Sequence, residues 1–244
     1  MPPPPKVALI TGAAQRVGRG IALALAEEGF DIAFTYLKSE TEAQTLTDEI
    51  TQKGRRALMI RADLTLPDQA AQAIYRSLST TFDRLDVLIN NASLYLPSDL
   101  ASTTIDLAQK LNAIHIIAPL LLAQRFEPLL RTAKGHIVNM VDLLAERPWP
   151  QFLAYCASKA GLWNLTLGLA RSLAPDVTVN GIAPGVVEWP KDYHPAEQQK
   201  YLKRVPLNRP GTPKDVAQLI TFLVTKGSYI TGQIIRLDGG RSIT

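Results

Sequence analysis

The sequence predicts an α/β fold in which a doubly wound parallel sheet is covered by helices on both faces. Short apolar runs alternate with helical patterns along the whole chain, and this order is typical of repeated β–α units. The first apolar runs are continuous rather than alternating, which indicates strands buried on both faces. A length of 244 residues fits one large domain, so we expect residues 1–244 to fold as a single unit.

The individual elements follow from these runs. The predicted strands are residues 6–11, 31–36, 56–61, 85–90, 136–141, 177–182 and 234–237. The predicted helices are residues 21–29, 41–53, 67–82, 105–130, 152–173 and 214–224. In open parallel sheets, ligands bind outside the carboxyl ends of the strands, so the residues that follow each strand are the first candidates for a site.

The composition argues against several classes of protein. Cys156 is the single cysteine, so no intrachain disulfide can form and a reducing, cytoplasmic location is expected. The 26 Lys and Arg residues are scattered, which argues against a nucleic-acid partner. No apolar run approaches the roughly 20 residues of a membrane helix, and the MPPPPK start resembles no targeting peptide. His and Cys lack metal-ligand spacing, so no metal site is expected.

A glycine-rich segment, GAAQRVGRG at residues 12–20, lies between the first predicted strand and a helix. Glycines let the backbone approach a pyrophosphate, and a helix N-terminus presents free N–H groups and a positive dipole end. The segment therefore predicts a dinucleotide site with Gly12, Arg16, Val17 and Gly18 as cofactor-binding candidates. A plain glycine-rich turn is the alternative.

The end of the second predicted strand indicates which nucleotide binds. Sites for NAD usually carry an acid there to hold the ribose hydroxyls, whereas this chain has Lys38 and Ser39, with Arg16 in the nearby loop. A cation and a hydroxyl suit a 2′-phosphate. We therefore predict NADP(H) as the cofactor, with a solvated surface lysine as the alternative.

Tyr155 and Lys159 are four residues apart in a predicted helix, which places both side chains on one face. A fixed ammonium favours the phenolate and lowers the phenol pKa, so Tyr155 is predicted to exchange a proton near neutral pH. Asp142 ends the fifth apolar run and is the third catalytic candidate. The alternative is that all three are ordinary surface and helix residues.

These motifs, together with ADL at residues 62–64, NNAS at 90–93, APG at 183–185 and LDGG at 237–240, resemble the short-chain dehydrogenase/reductase family. The resemblance covers essentially the whole chain and implies a Rossmann-like domain with seven parallel strands. It implies that Tyr155 is the acid/base and that Lys159 binds the nicotinamide ribose. The cofactor-binding residues that it adds are Asp63, Leu64, Asn90, Ala92, Pro184 and Gly185.

Four positions depart from the general family pattern. Arg16 replaces a loop glycine, Asp142 replaces the serine that polarises a carbonyl, Ser93 replaces the glycine of NNAG, and His115 replaces a helix asparagine. Arg16, Ser93 and Asp142 together resemble the pteridine reductase and dihydromonapterin reductase branch. This resemblance implies NADPH-dependent reduction of a ring C=N bond in a pterin or folate.

The chemistry of a pterin explains these substitutions. A carboxylate at Asp142 can accept hydrogen bonds from the 2-amino group and a ring N–H, and Ser93 or Arg16 can meet the other polar edge. Tyr95 is the predicted stacking residue, although it could equally pack on a neighbouring strand end. Reduction of another carbonyl compound is the main alternative, and Asp142 argues against it because an ionised carboxylate cannot donate to a carbonyl oxygen. A non-catalytic NADP(H)-binding module is a further alternative.

The segment 186–213 lacks strong periodicity, and long segments of this kind are often functional. We expect it to form a lid over the substrate, with Trp189 as a substrate contact, and residues 6–185 to form the cofactor-binding and catalytic core. The family resemblance also implies a homotetramer assembled through the helices at residues 105–130 and 152–173.

Overall fold

A computed structural model of the chain describes residues 4–189 and 194–244. Residues 190–193 of the predicted lid lie outside the described residues. The described chain forms one seven-stranded parallel sheet in the order β3-β2-β1-β4-β5-β6-β7. The strands are β1 (Val7–Ile10), β2 (Asp31–Tyr36), β3 (Ala57–Arg61), β4 (Val87–Asn90), β5 (His136–Met140), β6 (Thr178–Pro184) and β7 (Ile234–Leu237). The predicted doubly wound, single-domain fold is confirmed.

The central strands are apolar on both sides because helices cover both faces of the sheet. Successive side chains of a strand point to opposite faces, and in β1 the residues Ala8 and Ile10 enter one core cluster. Val7 and Leu9 enter a second cluster on the other face. This double burial explains why the sequence shows continuous apolar runs instead of alternation.

Eight α-helices are described. They are α1 (Arg16–Glu27), α2 (Glu40–Gln52), α3 (Pro67–Thr81), α4 (Ile105–Asn112), α5 (Ala118–Ala133), α6 (Leu153–Leu173), α7 (Pro195–Leu202) and α8 (Pro213–Thr225). The predicted start of the first helix at residue 21 is wrong, because α1 begins at Arg16. Gly18 and Gly20 weaken the helical pattern of that first turn, yet Gly18 is buried there.

Two other predicted segments differ from the structure. The single helix expected at residues 105–130 is interrupted by a π-helical turn, Ala113–Ile117, between α4 and α5. The region 186–213 contains α7, which has no buried residue and therefore shows no apolar periodicity in sequence. The combined helical run Ile105–Ala133 is long and apolar enough to cross a membrane by length and composition alone, but Leu122 and Phe126 on it are buried in the core.

The predicted site residues lie at one edge of the sheet. They follow or end successive strands: Gly12 after β1, Lys38 after β2, Asp63 after β3, Asn90 at the end of β4, Asp142 after β5 and Pro184 at the end of β6, with Gly185 next to it. Because all strands are parallel, this is the carboxyl edge at which such sheets bind ligands.

Candidate active site

The loop after β1 is shaped for close backbone approach. Gly12 adopts a φ of +65°, and a Cβ on it would lie 2.9 Å from the Cα of Ala92. A Cβ on Gly18 would lie 2.6 Å from both the Gly12 carbonyl oxygen and the Asn91 amide nitrogen. Glycine is therefore required at both positions for the loop to close against the segment after β4.

Asn91, which the sequence analysis did not single out, braces this loop. Its side-chain Nδ2 donates hydrogen bonds to the carbonyls of Thr11 at 2.9 Å and Gly12 at 3.0 Å. The Thr11 hydroxyl in turn accepts the backbone N–H groups of Asn91 and Ala92. These four bonds fix the backbone of the glycine loop to the end of β4. The second asparagine of the NNAS motif is the sequence feature that could have indicated this contact.

The N-terminus of α1 is open for an anion. Gln15 at the N-cap makes no side-chain capping bond, and the first turn carries no acid. The first N–H groups and the positive end of the helix dipole are therefore available to a phosphate. The side chain of Val17 packs against the core, so only the backbone of Val17 can fill its predicted role in cofactor binding. These features fit the pyrophosphate of a dinucleotide.

Arg16 makes a contact that the sequence did not predict. Its Nε donates to Glu188 Oε2 at 2.7 Å, and its Nη2 donates to the Glu188 carbonyl at 3.3 Å. The pair joins the glycine loop to the segment after β6, and the two side chains remain 62% and 35% exposed. The guanidinium predicted to meet cofactor and substrate is thus paired with a carboxylate of the same chain.

The end of β2 presents the polar groups expected for a 2′-phosphate. Lys38 is exposed, and Ser39 is the N-cap of α2 without making a side-chain capping bond. Glu40 and Glu42 occupy the first turn of α2 and partly offset its positive dipole end. The Lys38 ammonium and the Ser39 hydroxyl are therefore the groups at this edge that suit a phosphate, because the acids weaken the helix dipole.

Two other predicted cofactor residues have defined contacts. Asp63 accepts the backbone N–H and the hydroxyl of Thr65 through Oδ1, which closes the turn after β3, and Leu64 is buried there. Asn90 donates to Asn139 Oδ1 at 2.7 Å. The buried Oδ1 of Asn90 has no hydrogen-bond partner among the described residues. Since a buried acceptor without a partner is costly, this oxygen fits a donor from a bound group.

Tyr155 and Asp142 are in direct contact. The phenol O–H of Tyr155 donates to Asp142 Oδ2 at 2.7 Å, and the ring is 3% exposed. Asp142 Oδ1 accepts the Leu144 N–H at 2.8 Å. The carboxyl therefore uses one oxygen for its own turn and the other for the phenol. Burial raises the pKa of Asp142 above its ordinary value.

The expected acidification of Tyr155 by Lys159 is not seen. Burial, followed by the neighbouring Asp142, raises the pKa of Tyr155 well above its ordinary value. The Lys159 Nζ donates to the Met140 carbonyl at 2.8 Å and lies 5.8 Å from the centre of the phenol ring. Burial lowers the pKa of Lys159 to about 8. The spacing does place both side chains on one face of α6, but the ammonium is held by the end of β5.

His115 connects two serines of the site. Its Nε2 lies 2.9 Å from Ser93 Oγ, and its Nδ1 lies 2.8 Å from Ser158 Oγ. The π-helical turn that interrupts the long helix contains this residue, and such turns occur frequently at functional sites. Burial, and secondarily the Lys159 ammonium, lower the pKa of His115 to about 2, so the imidazole is neutral. The ring is 1% exposed.

Aromatic side chains surround the phenol. Tyr95 stacks on Phe152 with ring centres 4.4 Å apart and meets Tyr155 edge-on at 4.9 Å. Tyr95 therefore packs on Phe152, the N-cap residue of α6, and on Tyr155, while 43% of its surface stays exposed. Trp189 contacts Tyr201 of α7 edge-on at 5.4 Å, which ties the segment after β6 to this helix.

Comparisons with known proteins agree with this geometry. Residues 12–242 match the family model described as enoyl-(acyl carrier protein) reductase. The 3-oxoacyl-[acyl-carrier-protein] reductases FabG of Staphylococcus epidermidis and Staphylococcus aureus are 34% and 36% identical to the chain over 96% of its length, and the matches span 98% and 97% of these relatives. A blue fluorescent protein from a metagenomic library, solved with NADPH, superposes with a TM-score of 0.91 at 34% identity, covering 97% of this chain and 98% of that one.

The chain belongs to the short-chain dehydrogenase/reductase family. The family prediction is therefore confirmed. The two staphylococcal relatives are 3-oxoacyl-[acyl-carrier-protein] reductases, so they do not support the narrower resemblance to pteridine reductases.

Within this family member, the structure brings the predicted residues into two groups. Tyr155 contacts Asp142 by a hydrogen bond and the rings of Tyr95 and His115 edge-on, and His115 joins Ser93 to this group. Trp189 contacts α7 instead. The residues that line the cofactor edge form the second group. Sequence reasoning missed the partners Asn91, Phe152, Ser158, Glu188 and Tyr201. In residues 4–189 and 194–244, no group of three or more potential metal ligands is found.

Proposed function

We propose that this short-chain reductase uses NADP(H) to reduce a ring C=N bond of a pterin or folate, with Tyr155 as the proton donor. The contact between the Tyr155 phenol and the Asp142 carboxyl is the observation on which the substrate class depends. The Tyr155 phenol is buried and the Asp142 carboxyl is half-buried at the carboxyl edge of the sheet, where ligands of parallel sheets bind.

The residues at the cofactor edge suit NADP(H). The glycine loop and the N-terminus of α1 would hold the pyrophosphate, and Lys38 and Ser39 would hold the 2′-phosphate. Lys159 would meet the nicotinamide ribose, and Asn90 would offer its buried oxygen to a donor. The NADPH complex of a 34% identical structure supports the same cofactor. When bound, NADPH supplies the hydride that reduces the substrate carbon.

Tyr155 and Asp142 handle the proton. The phenol O–H is oriented by Asp142 Oδ2, so the pair holds one transferable proton at a fixed place. That proton goes to the ring nitrogen while the adjacent carbon is reduced, which completes the conversion of C=N to CH–NH. Because Asp142 has a raised pKa, its carboxyl can take part in replacing the proton that Tyr155 gives away.

Asp142 favours a substrate that presents N–H donors. An ionised carboxylate is only an acceptor, whereas a ketone oxygen needs a donor. The amino group and ring N–H of a pterin offer paired donors of the kind that carboxylates bind best. The exposed face of Tyr95 provides an aromatic surface for a flat heterocycle.

Reduction of a carbonyl, such as that of a 3-oxoacyl thioester, is the second candidate. The names of the relatives favour it over a pterin. One observation in the site also favours it: burial raises the pKa of Asp142, and a carboxyl kept neutral by its surroundings can donate a hydrogen bond to a carbonyl oxygen.

One assay separates the two candidates. NADPH oxidation is followed with dihydrobiopterin, dihydrofolate, a 3-oxoacyl thioester and a panel of simple ketones. We expect turnover of the two pteridines at least tenfold above that of the thioester, measured as kcat/KM. Turnover confined to the thioester or ketones contradicts the pterin proposal and selects carbonyl reduction.

We extend the proposal to assembly and location. Ile105, Ile117 and Leu120 are exposed apolar residues on the run of α4 and α5, which supports a homotetramer formed through this run and α6 in a soluble cytoplasmic enzyme. Analytical ultracentrifugation tests the assembly, and a monomer contradicts it.

For the segment 186–213, proteolysis with and without NADPH plus dihydrobiopterin tests the proposed lid over the substrate. Equal cleavage in both conditions contradicts the lid.

A further inference from the structure

A chain of hydrogen bonds runs from the backbone of α6 to the mouth of the site. Ser158 Oγ donates to the Tyr155 carbonyl at 2.7 Å, and His115 Nδ1 lies 2.8 Å from the same Ser158 oxygen. On the other side of the imidazole, Nε2 lies 2.9 Å from Ser93 Oγ. Ser93 is exposed, and the His115 ring meets the Tyr155 ring edge-on with centres 5.5 Å apart. None of the roles assigned above to cofactor or proton transfer uses His115.

The neighbours of His115 select one tautomer. Ser158 has a single hydroxyl hydrogen, and it is directed at the Tyr155 carbonyl. The Ser158 oxygen must therefore accept from His115, which places the imidazole hydrogen on Nδ1. Independently, the Leu94 backbone N–H points at Nε2 from 3.3 Å, which requires Nε2 to be an acceptor. Both neighbours thus require the Nδ1–H tautomer.

This tautomer determines the orientation of the Ser93 hydroxyl. His115 Nε2 lies 2.9 Å from Ser93 Oγ. An imidazole nitrogen without a hydrogen is only an acceptor, so the Ser93 hydrogen points at His115. The Ser93 lone pairs remain available at the exposed side. Ser93 then acts as an acceptor in the same group of contacts as Asp142, which it joins through His115 and Tyr155.

We propose that His115 is a positioning residue that holds Ser93 as a hydrogen-bond acceptor for an N–H group of the substrate. The proposal rests on the proposed function in that it places the ligand beside Ser93 and Tyr155. It adds a specificity determinant, because an acceptor at Ser93 favours a ligand that presents a donor and disfavours a carbonyl oxygen.

Two substitutions of His115 separate its two bonds. His115→Asn places an amide near the Nδ1 position and keeps the bond to Ser158, but it is too short to reach Ser93. His115→Gln places an oxygen near the Nε2 position and keeps an acceptor for Ser93. We expect His115→Asn to lower kcat/KM for the substrate about tenfold, the effect of losing one hydrogen bond, and His115→Gln to stay within about threefold of wild type.

A double-mutant cycle with Ser93→Ala distinguishes positioning from a merely structural role. If His115 acts through Ser93, His115→Asn combined with Ser93→Ala should be no worse than Ser93→Ala alone. NADPH affinity should be unchanged in all variants. His136→Asn is the matched control, because His136 also bonds a hydroxyl through Nδ1 but lies at the opposite edge of the sheet, and it should leave kcat/KM unchanged.

Two results would overturn the proposal. One is that His115→Gln loses as much kcat/KM as His115→Asn, and the other is that the losses of His115→Asn and Ser93→Ala multiply. The cycle is measured with whichever substrate the wild-type protein reduces. Failure of the pterin assignment is therefore read from the substrate panel, and failure of the positioning role is read from the cycle.

Discussion

The two halves of the carboxyl edge are built in different ways. At the ends of β1 and β2, the candidate cofactor site consists of glycine backbone, open helix N-termini and exposed side chains such as Lys38. After β5, the candidate chemical site consists of side chains that contact one another, among them the half-buried Asp142 and the buried Tyr155 and His115. In this second half, burial raises the pKa of Tyr155 and lowers the pKa values of Lys159 and His115.

This difference separates binding from chemistry. Exposed charges are screened by water and contribute modestly to the free energy of an interaction. Buried hydrogen-bonded groups are strongly coupled to one another, so a change in one of them costs more free energy. We therefore expect substitutions after β5 to change turnover by large factors, and substitutions at the ends of β1 and β2 to change cofactor affinity by smaller ones.

The largest effect is expected for Tyr155→Phe. Loss of a general acid typically lowers the rate by about 100- to 10,000-fold, and we expect a fall of this size in kcat with NADPH affinity retained. Stopped-flow turnover and fluorescence titration of NADPH measure the two quantities. Tyr75→Phe, at a ring that packs on Phe126 away from the site, is the control. Near-wild-type turnover of Tyr155→Phe would remove the phenol from the mechanism.

A smaller effect is expected for Lys38→Glu in the cofactor half. Replacing a phosphate-binding cation removes a charge-assisted hydrogen bond of about 1.5–3 kcal/mol, so kcat/KM for NADPH should fall about 10- to 100-fold. The value for NADH should change less, because NADH lacks the 2′-phosphate. Lys226→Glu, at an exposed lysine after α8, controls for the change in net charge. An equal loss for both nucleotides contradicts the assigned role of Lys38.

An effect of intermediate size is expected from the titration of Lys159. As the pH rises, it should lower kcat/KM and raise the free energy of unfolding. Burial lowers its pKa to about 8, so kcat/KM should fall above about pH 8 as the ammonium is lost. The folded-state pKa lies below the ordinary value, so the contribution to stability is complete above pH 10.5 and is lost as the pH falls through about 8. Urea unfolding gives the free energies of unfolding of wild type and Lys159→Met between pH 8 and 10. A difference between the two proteins that does not change with pH contradicts burial of the charge.

The smallest effect is expected for Glu188→Gln. An exposed ion pair is worth about 0–1 kcal/mol, so releasing Arg16 from Glu188 should tighten NADPH binding by at most about fivefold. Fluorescence titration at two salt concentrations measures the change. Weaker binding in Glu188→Gln would mean that the pair organises the glycine loop for the cofactor rather than occupying Arg16.

The same contrast explains what the sequence could predict. The seven strands, the glycine loop and the Tyr155–Lys159 face follow from local patterns and were predicted. The raised pKa of Tyr155 was not predicted, because it arises from burial first and from Asp142 second, and burial is set only on folding. The bond from Lys159 to Met140 and the pairing of Arg16 with Glu188, 172 residues apart, depend on how distant loops meet.

In the proposed function, Asp142 is the residue that selects a heterocycle with N–H donors over a carbonyl compound. Its most direct test is the ratio of kcat/KM for dihydrobiopterin to that for a 3-oxoacyl thioester, measured in wild type and in Asp142→Ser. Serine restores a donor, so the account predicts a wild-type ratio above one that falls at least tenfold in the variant. A wild-type ratio below one, or a ratio that Asp142→Ser leaves unchanged, would contradict it.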